Sequence, residues 1–268
     1  MNVITGSTKL FGIVADPISQ VRTPQVLNQY FEQEKLDAVL VPMHVGTDGL
    51  PTVFRAFRQM RNLGGFIVTV PHKTDAVHLC DEVSDAARDI GAVNTVRREP
   101  DGRLVGDMFD GLGFVKGLKA QDNDPAGKTV LLLGAGGAAA AIAHALVRSR
   151  VQRLSIANRT HAKAQAMAER VRAGVTGGVV VDAVEADPRG YDLVVNATSL
   201  GMKETDALPI DVSLLEPTTL VAEIIMKPEI TALLQAGQAR GCPIHLGRHM
   251  LDEQVQIMGR YMTGLSVD

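Results

Sequence analysis

The sequence predicts an α/β protein of two domains, the second built on a doubly wound parallel sheet. Three observations carry this. The chain has 268 residues, long for one domain and comfortable for two. Short apolar runs alternate with helix-like stretches through the first half, the order expected of α/β units. Residues 129–146, TVLLLGAGGAAAAIAHAL, read as strand, glycine turn and helix in direct succession.

Composition narrows the class. Hydrophobic residues make up 46% of the chain and mean hydropathy is +0.09, enough apolar material for a sizeable core. A net charge of −3, 4% aromatic residues and no tryptophan argue against a nucleic acid or an anionic membrane surface as partner. Cys80 and Cys242 lie far apart in no metal-spaced cluster, so they read as buried, reduced thiols and no metal is expected. The opening MNVITGSTKL lacks a basic-then-apolar leader and no apolar run approaches membrane length, so a cytoplasmic protein is expected. No heptad or apolar seam chooses between monomer and homodimer.

In the first half, Leu10–Val14 is a short apolar strand closed by Asp16-Pro17. Pro24 is placed to open a helix from Gln25 to about Lys35. Ala38–Val41 follows as a strand ended or interrupted by Pro42, then a helix from about Leu50 to Arg61. Ile67–Val70 is a strand ended by Pro71, which leaves Lys73 at the strand end or in the first turn of the next helix. Carboxyl ends of strands in α/β sheets face the ligand crevice, so Lys73 is either a site residue or a solvated helix-start lysine. His72 has a weaker case and reads as structural or exposed. Glu82–Ile90 reads as helix, ended by Gly91. Asn94 is a polar residue in an apolar stretch, either functional or a strand-edge residue. Pro100-Asp101-Gly102 turns a hairpin. Asp110, just before a helix starting near Leu112, is either a catalytic carboxylate or an N-cap.

In the second half, the glycine turn Gly134-Ala135-Gly136-Gly137-Ala138 suits a dinucleotide pyrophosphate. Its backbone admits close approach, and the following helix N-terminus offers free N–H groups. About twenty residues on, the strand Leu154–Ala157 ends in Asn158-Arg159-Thr160. An acid there would accept from a ribose 2′-hydroxyl, whereas Arg159 suits a 2′-phosphate, with Lys163 as a second cation, so NADP is favoured over NAD. Further strands are expected at Val179–Ala183, Leu193–Asn196, Leu220–Met226 and Ile244–Leu246, with helices at Glu229–Arg240 and Met250–Met262.

Taken in order, V-T-V-P-H-K at 68–73, G-A-V-N-T at 91–95, D-G-L-G-F at 110–114, G-A-G-G-A, N-R-T, N-A-T-S-L-G-M at 196–202 and G-R-H-M-L-D-E-Q at 247–254 resemble the shikimate dehydrogenase family along nearly the whole chain. The resemblance implies a substrate and catalytic domain at residues 1–111, joined by the last helix 247–268. A Rossmann-type NADP domain is implied at 112–246, with the active site in the cleft between the two. It implies hydride transfer between NADPH and a ring ketone, 3-dehydroshikimate giving shikimate, with Lys73 and Asp110 as the catalytic pair. Proton transfer is assigned to the pair, led by Lys73. It also implies that Thr198, Ser199, Leu200 and Gly247 border the cofactor, and that Thr69, Asn94 and Gln254 contact substrate.

The departures from the family cluster at its substrate positions. Two serines usual in a Ser-x-Ser-Pro pattern are Val21 and Thr23 here; an asparagine is Ile67, a threonine is Phe109 and a tyrosine is Met226. Each lost donor costs roughly 1–3 kcal/mol where a site excludes water. The expectation is therefore a shikimate dehydrogenase-like enzyme for which shikimate is a poor or secondary substrate. Quinate or another cyclic hydroxy acid is the close competitor. A non-catalytic sensor of NADP or a metabolite is the alternative from another class, against which the presence of both Lys73 and Asp110 argues.

Overall fold

The computed structural model describes residues 3–174 and 178–267, and the chain divides into two compact units. Unit 1 comprises Met1–Phe109 with Gln254–Asp268; unit 2 comprises Asp110–Glu253.

Unit 1 contains β1 (Lys9–Ala15), α1 (Thr23–Gln33), β2 (Ala38–His44), α2 (Leu50–Gln59), β3 (Leu63–Val68), α3 (Lys73–Leu79), β4 (Glu82–Val83), α4 (Asp85–Ile90), β5 (Thr95–Arg98) and β6 (Leu104–Asp107). Among the described residues these strands form a six-stranded sheet in the order β2-β1-β3-β5-β6-β4. β1, β2 and β3 run parallel; β5 turns antiparallel to β3, and β6 to β5. Six of the seven phenylalanines precede residue 110, and they build an aromatic core. Phe66 takes Phe54 edge-on at 4.9 Å and Phe57 at 4.7 Å, while Phe11 packs on Phe31 at 5.1 Å.

Several boundaries differ from the sequence reading, each for a physical reason. β2 continues through Pro42, which pairs with Ile13; β2 is an edge strand, where a missing N–H is tolerated. β3 starts earlier and ends at Val68, so Val70 is outside the sheet and 62% exposed. Its Gly64 and Gly65 are required by packing. A Cβ would lie 2.6 Å from the Phe11 ring at the first and 2.5 Å from the Val96 carbonyl oxygen at the second. The helix expected over 82–90 is split: β4 pairs with β6, and Ser84 then caps α4 by accepting from the Ala87 amide at 3.1 Å. Gly91 closes α4 in the left-handed conformation, φ 72°.

Unit 2 contains α5 (Asp110–Ala120), β7 (Thr129–Leu133), α6 (Gly137–Arg148), β8 (Arg153–Ala157), α7 (His161–Ala173), β9 (Val180–Ala183), β10 (Leu193–Asn196), β11 (Leu220–Glu223), α8 (Ala232–Ala239) and β12 (Ile244–His245). α9 (Gly247–Met262) starts in unit 2 and belongs to unit 1 from Gln254 onward. The strands form a parallel sheet, among the described residues six-stranded, in the order β12-β11-β10-β7-β8-β9. The chain winds one way from β7 through β8 and β9, then returns to wind the other way through β10, β11 and β12. The reversal lies between β7 and β10, where open α/β sheets bind ligands beyond their carboxyl ends.

Here the core is aliphatic, with Leu131, Leu133, Val194, Val221 and Leu234 buried together. α6 presents buried alanines at 139, 140, 141 and 143. α5 lies so close to it that a Cβ on Gly111 would come 2.0 Å from the Ala141 carbonyl oxygen. β11 stops at Glu223, short of the expected Met226. α8 begins at Ala232, not Glu229, because Thr231 accepts from the Leu234 amide and sets the helix start.

Candidate active site and cofactor site

In unit 1 the expected site residues gather at the carboxyl ends of β1, β2 and β3. Thr69 follows β3 and its amide still donates to Val14 of β1 at 3.0 Å. The His72 amide donates to Thr69, and its ring is fully buried, with Nε2–H donating to the Val45 carbonyl at 2.7 Å. His72 is therefore structural: it ties the turn before α3 to the segment after β2. Lys73, the first residue of α3, is partly buried, and its carbonyl accepts from the Val93 amide at 2.9 Å.

That bond brings Asn94 alongside. Asn94 is 3% exposed, and its carbonyl accepts from Val68 at 2.8 Å. Its side-chain Oδ1 accepts from the Phe109 amide at 3.0 Å and from the Thr95 hydroxyl at 2.9 Å. Asn94 thus fixes the last residue before Asp110. The Phe109 ring is buried and packs against Tyr261 at 5.0 Å. Val21 is partly exposed in the turn before α1. Thr23 lies inside the first turn of that helix and is buried, so α1 starts earlier than expected. Gln254 of α9 is 6% exposed.

In unit 2 Asp110 stands in the first turn of α5, 3% exposed, so the helix begins at this residue and not near Leu112. The partial positive charge of a helix start favours a carboxylate there. The glycine turn after β7 is built as a cradle. Gly134 has φ +117°, and a Cβ there would lie 2.9 Å from the Ala197 carbonyl oxygen. At Gly136 a Cβ would meet nothing within 4 Å, and no side chain caps α6. The first amides of α6, from Gly137 and Ala138 onward, therefore meet no capping side chain of their own, which fits a pyrophosphate. At the end of β8, Asn158 Nδ2 donates to the Thr160 carbonyl at 3.0 Å. Arg159, Thr160 and Lys163 are exposed, and neither cation takes part in an ion pair among the described residues. Two free cations beside the glycine turn's neighbouring strand suit a 2′-phosphate.

Thr198, Ser199 and Leu200 follow β10 and are held by Asn196, whose Oδ1 accepts from the Thr198 amide and hydroxyl at 3.1 and 2.7 Å. Met226 is partly exposed beyond β11. Gly247 is buried, and a Cβ there would meet the Ile225 carbonyl oxygen at 2.3 Å, so close packing alone requires glycine.

His72 and Glu223 are among the buried polar residues to which the sequence assigns no site role. Burial pushes the Glu223 carboxyl up to about 6. The available signal was an acid closing the apolar run Leu220-Val221-Ala222 in a parallel sheet, where both faces are covered. Burial likewise pushes the Cys80 thiol up to about 12, leaving it a poor nucleophile. Among the described residues no group of three or more His, Cys, Asp or Glu is placed to hold a metal ion. No helix there is long and apolar enough to cross a membrane.

A doubly wound unit with a glycine cradle and a free arginine at the next strand end, and a second α/β unit carrying Lys73 and Asn94, define a dinucleotide-dependent oxidoreductase. Comparison with known proteins agrees. A family model described as the shikimate dehydrogenase substrate binding domain matches residues 13–96, and one described as shikimate / quinate 5-dehydrogenase matches residues 118–203. The shikimate dehydrogenase (NADP(+)) of Rubrobacter xylanophilus is 39% identical, over 99% of this chain and 94% of its own. The chain belongs to the shikimate dehydrogenase family. Among solved structures, shikimate 5-dehydrogenase from Thermus thermophilus, in complex with NADP(H) and shikimate, is 30% identical with a TM-score of 0.88, over 97% of this chain and 95% of that one. The ligand-free 5-ketofructose reductase of Gluconobacter sp. strain CHM43 is 31% identical with a TM-score of 0.85, over the same shares.

Proposed function

We propose that this chain interconverts 3-dehydroshikimate and shikimate, or a closely related cyclic hydroxy acid, with NADP as the redox partner. The observation that carries the reading is the 39% identity to a shikimate dehydrogenase (NADP(+)) along 99% of the chain. Unit 1 takes the ring acid and unit 2 the dinucleotide. When bound, NADPH supplies the hydride. The residues of the chain do the rest. Gly134–Ala138 and the start of α6 hold the pyrophosphate, and Arg159 and Lys163 meet the 2′-phosphate.

As the ketone carbon accepts hydride, negative charge grows on its oxygen. The Lys73 ammonium stabilises that charge and gives up a proton, leaving the product hydroxyl. Asp110 accepts a hydrogen bond from the same hydroxyl and keeps the lysine aimed at it. In the reverse direction Lys73 takes the proton back. Thr69, Asn94 and Gln254 hold ring hydroxyls. The two unpaired cysteines fit a reducing compartment, so the reading places the chain in the cytoplasm.

A second reading concerns the substrate. Val21, Ile67, Phe109 and Met226 replace polar residues, Ile67 and Phe109 are both 4% exposed, and a 31% identical solved structure is that of a 5-ketofructose reductase. Quinate or another ring substrate with a different polar pattern is favoured by those observations. The test is NADP+ reduction with shikimate and quinate side by side over a wide concentration range, repeated with NAD+. Saturation by shikimate at modest concentration supports the first reading. Turnover of quinate alone supports the second, and turnover of neither overturns shikimate and quinate alike and points to another cyclic hydroxy acid.

A further inference from the structure

Glu223 closes β11 and is 0% exposed. Its Oε1 accepts from Asn196 Nδ2 and from the Thr231 hydroxyl, each at 2.9 Å. Among the described residues its Oε2 has no hydrogen-bond partner. Asn196 is its register partner on β10. The remaining amide hydrogen of Asn196 goes to the Leu200 carbonyl at 2.9 Å, and its Oδ1 accepts from Thr198 as described above. The Thr198 hydroxyl in turn accepts from the Leu200 amide at 3.0 Å. One side chain, Asn196, thus holds the backbone of the loop after β10 at Thr198 N–H and at Leu200 C=O.

The orientation of that amide is decided by its neighbours. An ionised carboxylate accepts and never donates. Glu223 therefore demands the NH2 end of Asn196, which turns Oδ1 toward the Thr198 amide. The loop so fixed stands directly against the glycine cradle: a Cβ on Gly134 would lie 3.3 Å from Thr198 Cγ2. On its other side Gly201, φ +112°, packs on Thr231, with a Cβ there 3.4 Å from Thr231 Cβ. Among the described residues Glu223 has no side-chain hydrogen bond to the cradle or the loop, yet both ends of its hydrogen-bond chain lead to them.

We propose that Glu223 is a positioning residue for dinucleotide binding: through Asn196 it sets the Thr198–Leu200 backbone beside the glycine cradle. This rests on the reading that unit 2 takes NADP. The experiment is calorimetric titration of the full-length chain with NADPH, with thermal unfolding of each variant and the KM of the ring acid measured alongside. Glu223→Leu removes the acceptor at similar volume and is expected to raise the NADPH Kd about 10-fold, the worth of roughly one buried hydrogen bond. Glu223→Gln retains Oε1 and is expected to hold the Kd within about 3-fold of the unaltered chain.

Thr231→Val is the control. It cuts the other bond to Oε1 and loosens the start of α8 while keeping the Cβ and methyl group on which Gly201 packs. It is expected to lower the unfolding temperature while leaving the Kd within about 3-fold. The KM of the ring acid stays unchanged in all three. Should Glu223→Leu not fold, Glu223→Asp replaces it: one methylene shorter, it withdraws the acceptor from Asn196 and raises the Kd where Gln does not. Equal Kd values in Leu and unaltered chains overturn the proposal, as does a Thr231→Val chain weakened as much as Glu223→Leu. Failure of the unaltered chain to bind NADPH overturns the cofactor reading itself and this proposal with it.

Discussion

Asn196 and Glu223 are register partners on neighbouring parallel strands, joined by a 2.9 Å hydrogen bond between fully buried side chains. The carboxyl of this pair carries a pH signature. Burial raises Glu223 from its ordinary 4.5 to about 6, more than the bonds from Asn196 and Thr231 lower it. The folded chain then holds a proton that the unfolded chain has released. The stability this gives is fully present below 4.5 and is lost as pH rises through 6, an amount of about 2 kcal/mol. Glu223→Gln has no such titration. Its stability relative to the unaltered chain is expected to improve by about 2 kcal/mol between pH 4.5 and pH 7, whatever its offset at either end. Urea unfolding at the two pH values checks this; parallel curves would reject it.

His245 predicts the opposite slope. It is buried, its Nε2 has no hydrogen-bond partner among the described residues, and its Nδ1 lies 3.3 Å from Nδ1 of His249. Burial, then the neighbouring His249, pushes it down to about 4. The neutral ring's contribution is present above pH 6.5 and is lost as pH falls toward 4, up to about 3 kcal/mol. His245→Phe, beside Phe114, is expected to flatten the acid limb of a stability–pH profile measured by urea unfolding from pH 7 to 4.5. An unchanged limb would place the acid sensitivity elsewhere.

These two buried groups also mark the limit of what the sequence reveals. The doubly wound unit was legible because Val130–Leu133, the glycine turn and the alanine-rich helix follow one another locally. The place of Lys73 at a helix start was legible from Pro71 just before it, although β3 itself already ends at Val68. Glu223 and His245 were read as ordinary strand residues, since their burial depends on which strands become neighbours. The helix expected over 82–90 failed for the same reason: β4 exists only because β6 is there to pair with it. The role of Asn94 in fixing Phe109 is likewise a contact between residues 15 apart in sequence, visible only after folding.

Three glycines separate packing from binding. Gly111→Ala and Gly247→Ala would drive a methyl into backbone oxygens, at 2.0 Å from Ala141 and 2.3 Å from Ile225. Each is expected to cost about 1–3 kcal/mol or more, because backbone cannot step aside as a side chain can. Gly136→Ala meets nothing within 4 Å and is expected to change stability by under about 1 kcal/mol, the difference between the two residues at a helix N-cap. Its methyl intrudes on the cradle, so NADPH affinity falls. Thermal unfolding and NADPH titration on the three variants check both halves.

Arg159 tests the choice of dinucleotide. It is exposed and in no ion pair among the described residues, so its guanidinium is available to a 2′-phosphate. Arg159→Gln is expected to lower kcat/KM for NADP+ about 10- to 100-fold, the worth of a charge-assisted contact, and to leave NAD+ turnover within about 3-fold. Equal losses with both cofactors would assign Arg159 a role other than phosphate recognition.

Lys73 and Asp110 carry the chemistry in our proposal, and the way their losses combine is the informative measurement. Lys73→Ala is expected to lower kcat about 100- to 10,000-fold, the usual contribution of a positioned acid–base group. Asp110→Asn keeps the shape of the side chain in the first turn of α5 and is expected to lower kcat by a similar factor. Neither change touches the glycine cradle, so NADPH binding should stay within about 2-fold. If the two groups act on one oxygen, the double variant should fall no more than about 10-fold below the weaker single one, because removing either already removes the unit. If each contributes independently, the losses multiply. Full additivity would therefore break the pair apart and leave Lys73 as the sole proton donor, with Asp110 serving the ring hydroxyl by hydrogen bonding alone.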